Sequence, residues 1–270
     1  MKATVIVDNI ANGSIKGEWG LCIYIENEGK KILLDSGGSN LFAKNANSLG
    51  INLEDVDVAV LSHAHYDHSN GMKKFFEINK KAKFYLRETS RENCYKRILF
   101  YNKYIGLEKN ILTDYADRIE MAKGDVELFK GVYLIPHKTP GLEALGKREN
   151  MYQKTNEGWK IDDFSHEQSL VLRGKEGLVI FNCCSHGGAD NIINEVQQTF
   201  PGEPVEAIIG GFHLYNKTEK EVRAFAKRVK ETGIKSVITG HCTGKKSFAV
   251  LKDELGDSLQ QLHVGLEMNF

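Results

Sequence analysis

Neither sign of charge prevails in these 270 residues, because 36 basic side chains are balanced by 36 acidic ones. A chain so balanced has no global pull towards nucleic acid or an anionic membrane, so neither partner is expected. Long apolar runs are absent too. No stretch approaches the ~18 residues of a membrane-spanning helix, and Met1-Lys2-Ala3-Thr4-Val5 lacks the apolar centre of a secretory signal. Cysteine is sparse and scattered. Cys22, Cys94, Cys183, Cys184 and Cys242 form an odd set without a Cys-x-x-Cys pair, which argues against a disulfide framework and points to a reducing cytoplasm. The length suits one large domain with an ample core.

What the chain does have is a dense group of metal-binding side chains. Ser62-His-Ala-His-Tyr-Asp-His-Ser-Asn-Gly71 places His63, His65, Asp67 and His68 within six residues, directly after the apolar run Val56 to Leu61. A strand that ends in such a loop holds its ligands on a rigid base. His63 and His65, on alternate residues, can face one metal, and the next turn directs Asp67 and His68 to a second. Borderline cations such as zinc take imidazole and carboxylate in this way. Paired metals ~3.5–4 Å apart suit hydrolysis. The alternative is a polar turn whose histidines merely cluster, and the density of the pattern argues against it.

Two halves rich in strand–helix units flank this loop or repeat its plan. Strands are predicted over Ala3 to Val7, Leu21 to Glu26, Lys31 to Asp35, Val56 to Leu61 and Lys83 to Leu86. Helices are predicted over Asn40 to Leu49 and Gly71 to Lys80. In the second half, strands at Ser169 to Arg173, Leu178 to Phe181, Val205 to Ile209 and Ser236 to Thr239 alternate with helices at Ala189 to Phe200, Glu219 to Thr232 and Lys245 to Leu255. This is an α/β layer architecture. Between the halves, residues 87–123 interleave Arg91, Lys96, Arg97, Lys103 and Lys109 with Tyr95, Phe100, Tyr101 and Tyr104. The segment reads as a lid-like insertion, with an ordinary helical surface preferred over a cover that supplies basic groups to a phosphate-bearing substrate. Residues 136–164 read as a long loop near the site.

The motif His63-x-His65-x-Asp67-His68 resembles the signature of the metallo-β-lactamase superfamily. Leu33-Leu34-Asp35-Ser36-Gly37 resembles that family's upstream turn, and Thr239-Gly240-His241 its final histidine loop. Val7-Asp8-Asn9, Glu18-Trp19-Gly20-Leu21, Cys184-Ser185-His186, Gly210-Gly211-Phe212-His213-Leu214 and His241-Cys242-Thr243-Gly244 are similar to a branch of 7,8-dihydropterin-6-methyl-4-(β-D-ribofuranosyl)aminobenzene-5′-phosphate synthase-like proteins. The resemblance implies an αββα metallo-β-lactamase-like sandwich over residues 1–270, with metals along the edge where two sheets meet. It also implies a hydrolase that uses metal-activated water on an ester, lactone or phosphoester of a small, pterin-related molecule. One or two zinc ions are the expected cofactor, with iron or manganese as substitutes. A di-iron redox protein and a non-catalytic metal-binding module are the alternatives.

His186 and His241 follow apolar strands as the first cluster does, and are expected as ligands. His63, His65 and His186 are assigned to one metal, and Asp67, His68 and His241 to the other. Asp67 is also expected to handle the proton of the attacking water. His213 is open between spare ligand, structural residue and general acid, with the last preferred. Asp35 is expected to orient a ligand histidine, while Asp8, Asn9 and Glu18 either organise the site or serve as turn polarity. The family's bridging aspartate is missing, and Cys184, near its place, is open between a thiolate ligand and a small buried residue, with the second preferred. His137 and His263 show no partner signal and read as structural.

Overall fold

The computed structural model describes residues 1–270. The first half lays down β1 (Lys2–Val7), β2 (Cys22–Asn27) and β3 (Lys30–Leu34), then α1 (Leu41–Ser48) and β4 (Val58–Val60). The metal-ligand motif follows, with α2 (Tyr66–Ser69) and α3 (Met72–Ile78) leading to β5 (Lys83–Arg87). A hairpin of β6 (Cys94–Ile98) and β7 (Tyr101–Tyr104) stands apart from the sheet. The short α4 (Ile111–Asp114) returns the chain to β8 (Ile119–Ala122), which pairs with β5.

The second half opens with β9 (Val126–Phe129) and β10 (Val132–Pro136). Then come α5 (Glu143–Glu149) and a second outlying hairpin, β11 (Met151–Thr155) with β12 (Gly158–Ile161). The remainder runs β13 (Gln168–Arg173), β14 (Leu178–Phe181), α6 (Ala189–Thr199), β15 (Val205–Gly210), α7 (Glu219–Glu231), β16 (Ser236–Thr239), α8 (Lys245–Leu255), β17 (Leu259–Gln261) and β18 (Glu267–Asn269).

Two seven-stranded sheets result, ordered β18-β1-β2-β3-β4-β5-β8 and β17-β16-β15-β14-β13-β10-β9. Alternate residues of each strand point to opposite faces, and the burial follows that rule. Val5, Ile32, Leu34, Val58 and Val60 meet Leu134, Leu170, Leu172, Phe181 and Ile209 between the sheets. Their neighbours Ile6, Leu33 and Ala59 pack outward beneath Phe42 and Phe75 of α1 and α3. Val171, Ile180 and Ile208 pack outward beneath Ile192, Val222 and Leu251 of α6, α7 and α8. This is the αββα sandwich. Each fully buried aliphatic or phenyl side chain contributes about 1.5–3 kcal/mol through lost contact with water. At the open edge, β4, β14, β15 and β16 all deliver their carboxyl ends to one place, because each lies in a parallel part of its sheet. No helix is long and apolar enough to cross a membrane.

Two expectations fail between the halves. Residues 87–123 do not form a helical surface, and 136–164 are not a long loop: β11 pairs with β6, giving a third sheet ordered β12-β11-β6-β7. Rings hold it together. Tyr95 and Tyr104 meet edge to face at 5.1 Å, and the Arg97 guanidinium lies 4.1 Å from the centre of the Tyr152 ring. The pairing is long-range and both faces carry polar groups, so no local apolar period announces it.

The two cores differ in cost on mutation. Leu172→Ala, in the centre of the sandwich, should lose about 2–5 kcal/mol of stability. Glu157→Ala, in the exposed turn of the third sheet, should stay within about 0.5 kcal/mol of wild type. Denaturant unfolding of the two variants checks both values.

Candidate metal centre

The carboxyl end of β4 places four imidazole and carboxylate groups at the sandwich edge, and the loops after β14 and β16 bring the rest. Asp35 fixes the first of them. Its φ is +60°, a left-handed conformation shared by Ser185, His213 and His241 at the same edge. Non-glycine residues in this region are uncommon, and they gather where side chains must be aimed.

Four of the five rings are turned by a named partner. The Asp35 carboxylate accepts from the Ser62 amide, the Ser62 hydroxyl and His68 Nδ1, each at 2.7 Å. Having given its proton to Asp35, the Ser62 oxygen accepts from His63 Nδ1 at 2.9 Å. His186 Nδ1 donates to Glu167 at 2.7 Å, and His241 Nδ1 donates to Asn9 Oδ1 at 3.1 Å. Asp8 takes the His241 amide at 2.9 Å. With Nδ1 engaged in all four rings, a neutral ring presents its lone pair on Nε2.

Those lone pairs meet. His68 Nε2 and His241 Nε2 are 3.2 Å apart, and Asp67 Oδ2 lies 3.8 Å from the first and 3.5 Å from the second. His63, His65 and His186 each offer a donor atom within 4.8 Å of the other two. His63 Nε2 and His65 Nε2 are buried and lack any hydrogen-bond partner. Buried polar atoms without partners are costly, and facing lone pairs repel. A cation satisfies both conditions, so the donor set fits the metal its chemistry calls for. Burial, reinforced by neighbouring imidazoles, also pushes the His63 and His65 pKa values far down, which keeps them neutral. Burial raises the Asp67 pKa, but His68 and His241 outweigh it and hold the carboxyl well below the usual range.

All six predicted ligands therefore converge, and Asp35 touches His68 as expected. Asp8 and Asn9 both hold His241, whereas Glu18 braces the turn at Gly38 and Ser39 instead. Cys184 is buried, but its sulfur is 3.2 Å from His68 Nε2 and belongs to the donor groups, so packing is not its whole role. His137, for which the sequence shows no partner signal, lies between Glu167 and Glu195. His166 is held by the Ala64 amide at 3.1 Å and by Asp162 at 3.2 Å, which occupies both ring nitrogens. Glu167 escaped the sequence reading; its one signal was its place two residues into Ser165-His-Glu-Gln168, just before a strand.

His213 sits beside His186, with ring centres 4.7 Å apart, and its Nε2 lies 3.3 Å from the buried carboxylate of Glu149 on α5. Burial lowers its pKa, but the Cys242 sulfur and Glu149 reverse this and lift it to about 9. His65, Asp67 and His186 open into a cavity of about 320 Å³. Trp19, Tyr66 and Tyr215 give it aromatic walls, and Lys96 and Lys103 from the third sheet face the same space. Arg91, Arg97 and Lys109 are not among its lining residues.

Comparison with known proteins agrees with this fold. Residues 19–145 match the model of the metallo-beta-lactamase superfamily. A 7,8-dihydropterin-6-methyl-4-(beta-D-ribofuranosyl)-aminobenzene-5′-phosphate synthase of Methanocaldococcus jannaschii is 27% identical, over 96% of this chain and 92% of that protein. The crystal structure of Tm1679, described as a metal-dependent hydrolase of the beta-lactamase superfamily, superposes with a TM-score of 0.84 at 27% identity, covering 100% of this chain and 99% of the other. Residues 19–145 thus resemble the metallo-β-lactamase superfamily in sequence, and the whole chain shares its fold. Zn(2+)-bound PqqB of Methylobacterium extorquens shares the superfamily fold, with a TM-score of 0.61 at 10% identity and full coverage of both chains (100% and 100%). Metal ions are typical of the superfamily fold.

His137 supplies a pH test. Burial lowers its pKa, but hydrogen bonds and charge from Glu167 and Glu195 raise it to about 10, above the usual ~6.5 of histidine. A raised pKa means that the folded state binds the proton more tightly than the unfolded chain does. The stabilisation is thus complete below pH ~6.5 and disappears as the pH climbs through about 10. Thermal melts of wild type and His137→Asn should differ most near pH 6 and converge above pH ~10.5.

Proposed function

We propose that this protein is a metal-dependent hydrolase of a small ester, lactone or phosphoester, with His63, His65 and His186 holding one cation and Asp67, His68 and His241 the other. The observation that carries this reading is the convergence of imidazole Nε2 atoms and Asp67 at one edge of the sandwich, four of the five rings being turned by a partner on the other nitrogen. Zinc is the favoured cation, with iron or manganese as substitutes, and a zinc-class ion there supplies Lewis acidity that makes water a nucleophile near pH 7.

The chain's own groups divide the remaining work. Asp67, ionised and at the floor of the cavity, accepts the proton of the attacking water. The Cys242 sulfur and Glu149 outweigh burial and keep His213 protonated, and it donates a proton as the leaving group departs. Lys96 and Lys103 attract an anionic substituent, and Trp19, Tyr66 and Tyr215 stack against a planar one. A phosphate-bearing, pterin-related substrate fits those walls, and the Methanocaldococcus jannaschii relative carries a 5′-phosphate and a pterin in its name. The whole chain acts as one domain, the third sheet forming the cavity wall. All five cysteines are buried free thiols, which suits a reducing cytoplasm.

Three variants separate the roles. His68→Ala should lose bound metal by elemental analysis together with turnover. His213→Ala should keep its metal and lose about 10²–10⁴-fold in kcat, with a smaller deficit on nitrophenyl esters, whose leaving group needs no proton. The double variant Lys96→Ala, Lys103→Ala should raise KM for phosphate-bearing substrates and leave neutral esters unchanged. A metal-loaded wild type without turnover on ester, lactone and phosphoester panels would overturn the hydrolase reading.

A further inference from the structure

We infer that His137 is a positioning residue for the metal centre, acting through Glu167 to hold His186 in one orientation. The inference rests on the proposed role of His186 as a ligand. Glu167 is fully buried after β12. Its Oε2 accepts the His186 Nδ1 proton at 2.7 Å and the His186 amide at 3.2 Å, while its Oε1 faces His137 Nε2 at 2.8 Å. His137, directly after β10, turns its other nitrogen to Glu195 Oε2 on α6 at 3.1 Å. Glu195 is fixed in turn by the Lys138 amide, the Thr139 amide and the Thr139 hydroxyl, at 3.0, 2.9 and 2.6 Å.

The result is a straight succession from α6 to the cavity: Glu195, His137, Glu167, His186. Both ring nitrogens of His137 meet carboxylate oxygens, so it serves both as a two-sided donor. Burying three ionised groups generally stabilises a protein no better than apolar residues of the same volume. What the charged succession adds is direction. A carboxylate tied only to His186 is free to turn, whereas one tied at both oxygens has a fixed plane and fixes the ring that it holds. That ring keeps its proton on Nδ1 and its lone pair towards the cavity. The backbone is shaped for the arrangement, because a Cβ on Gly187 would stand 2.4 Å from His137 Cε1.

Full-length wild type, His137→Ala, Gly187→Ala and Glu167→Gln test the inference. Two readouts apply: the His186 tautomer by long-range 1H–15N NMR of metal-stripped protein, and Zn²⁺ affinity by competition with a chromophoric chelator. Wild type should show the Nδ1–H tautomer. The variants should show mixed tautomers and bind Zn²⁺ roughly 10–100-fold more weakly, the usual effect of removing such a partner. Gly187→Ala displaces the ring while keeping every charge, so it decides the matter if His137→Ala does not fold. Folded variants with the wild-type tautomer and affinity, whether or not they melt earlier, would overturn the inference. A wild type that takes up no Zn²⁺ while its His186 tautomer still depends on His137 would sink the metal-centre reading and support the positioning role.

Discussion

One buried carboxylate sets the geometry on which the rest depends. Asp35 accepts three hydrogen bonds at once, two from Ser62 and one from His68. Through Ser62 it also orders the proton on His63. A single acceptor thus sets the tautomers of two rings whose far nitrogens face the other donors. Because both Asp35 oxygens act only as acceptors, the direction of every bond in this set follows without further choice. The left-handed backbone of Asp35 is the local cost of reaching that point from the end of β3.

The same logic recurs with different partners around the centre. Glu167 orders His186 and Asn9 orders His241, so rings from separate loops are all presented by the same nitrogen. The sandwich makes this practicable. Parallel strands send their carboxyl ends in one direction, and two such sheets bring four loops together across a core that does not yield. Rigidity comes from the packed strands, and aim comes from the polar partners.

Much of this was legible in the residues. His63, His65, Asp67 and His68 sit so close in sequence that a strand and one turn suffice to gather them. His186 and His241 were legible because each follows an apolar strand. Asp35 was readable from its place in a glycine turn. The rest was not. Glu167 and Glu149 look like ordinary surface acids until tertiary packing buries them beside histidines that are distant in sequence. His137 needed two partners that are 30 and 58 residues away. Lys96 could not be told from Arg91 or Arg97 until the pairing of β6 with β11 decided which of them faces the cavity. Local pattern reports strands and helices well, but it carries no information about which distant segment will lie opposite.

The third sheet shares no strand with either large one, and its two hairpins leave the chain between β5 and β8 and between β10 and β13. The wall that meets a substrate and the floor that holds the donors are therefore built from separable parts. Changes in the hairpins can alter the width, charge or aromatic lining of the entrance without moving a strand that aims a ligand. Across descendants of such a fold, substrate range is free to drift quickly while the chemistry at the floor stays nearly fixed.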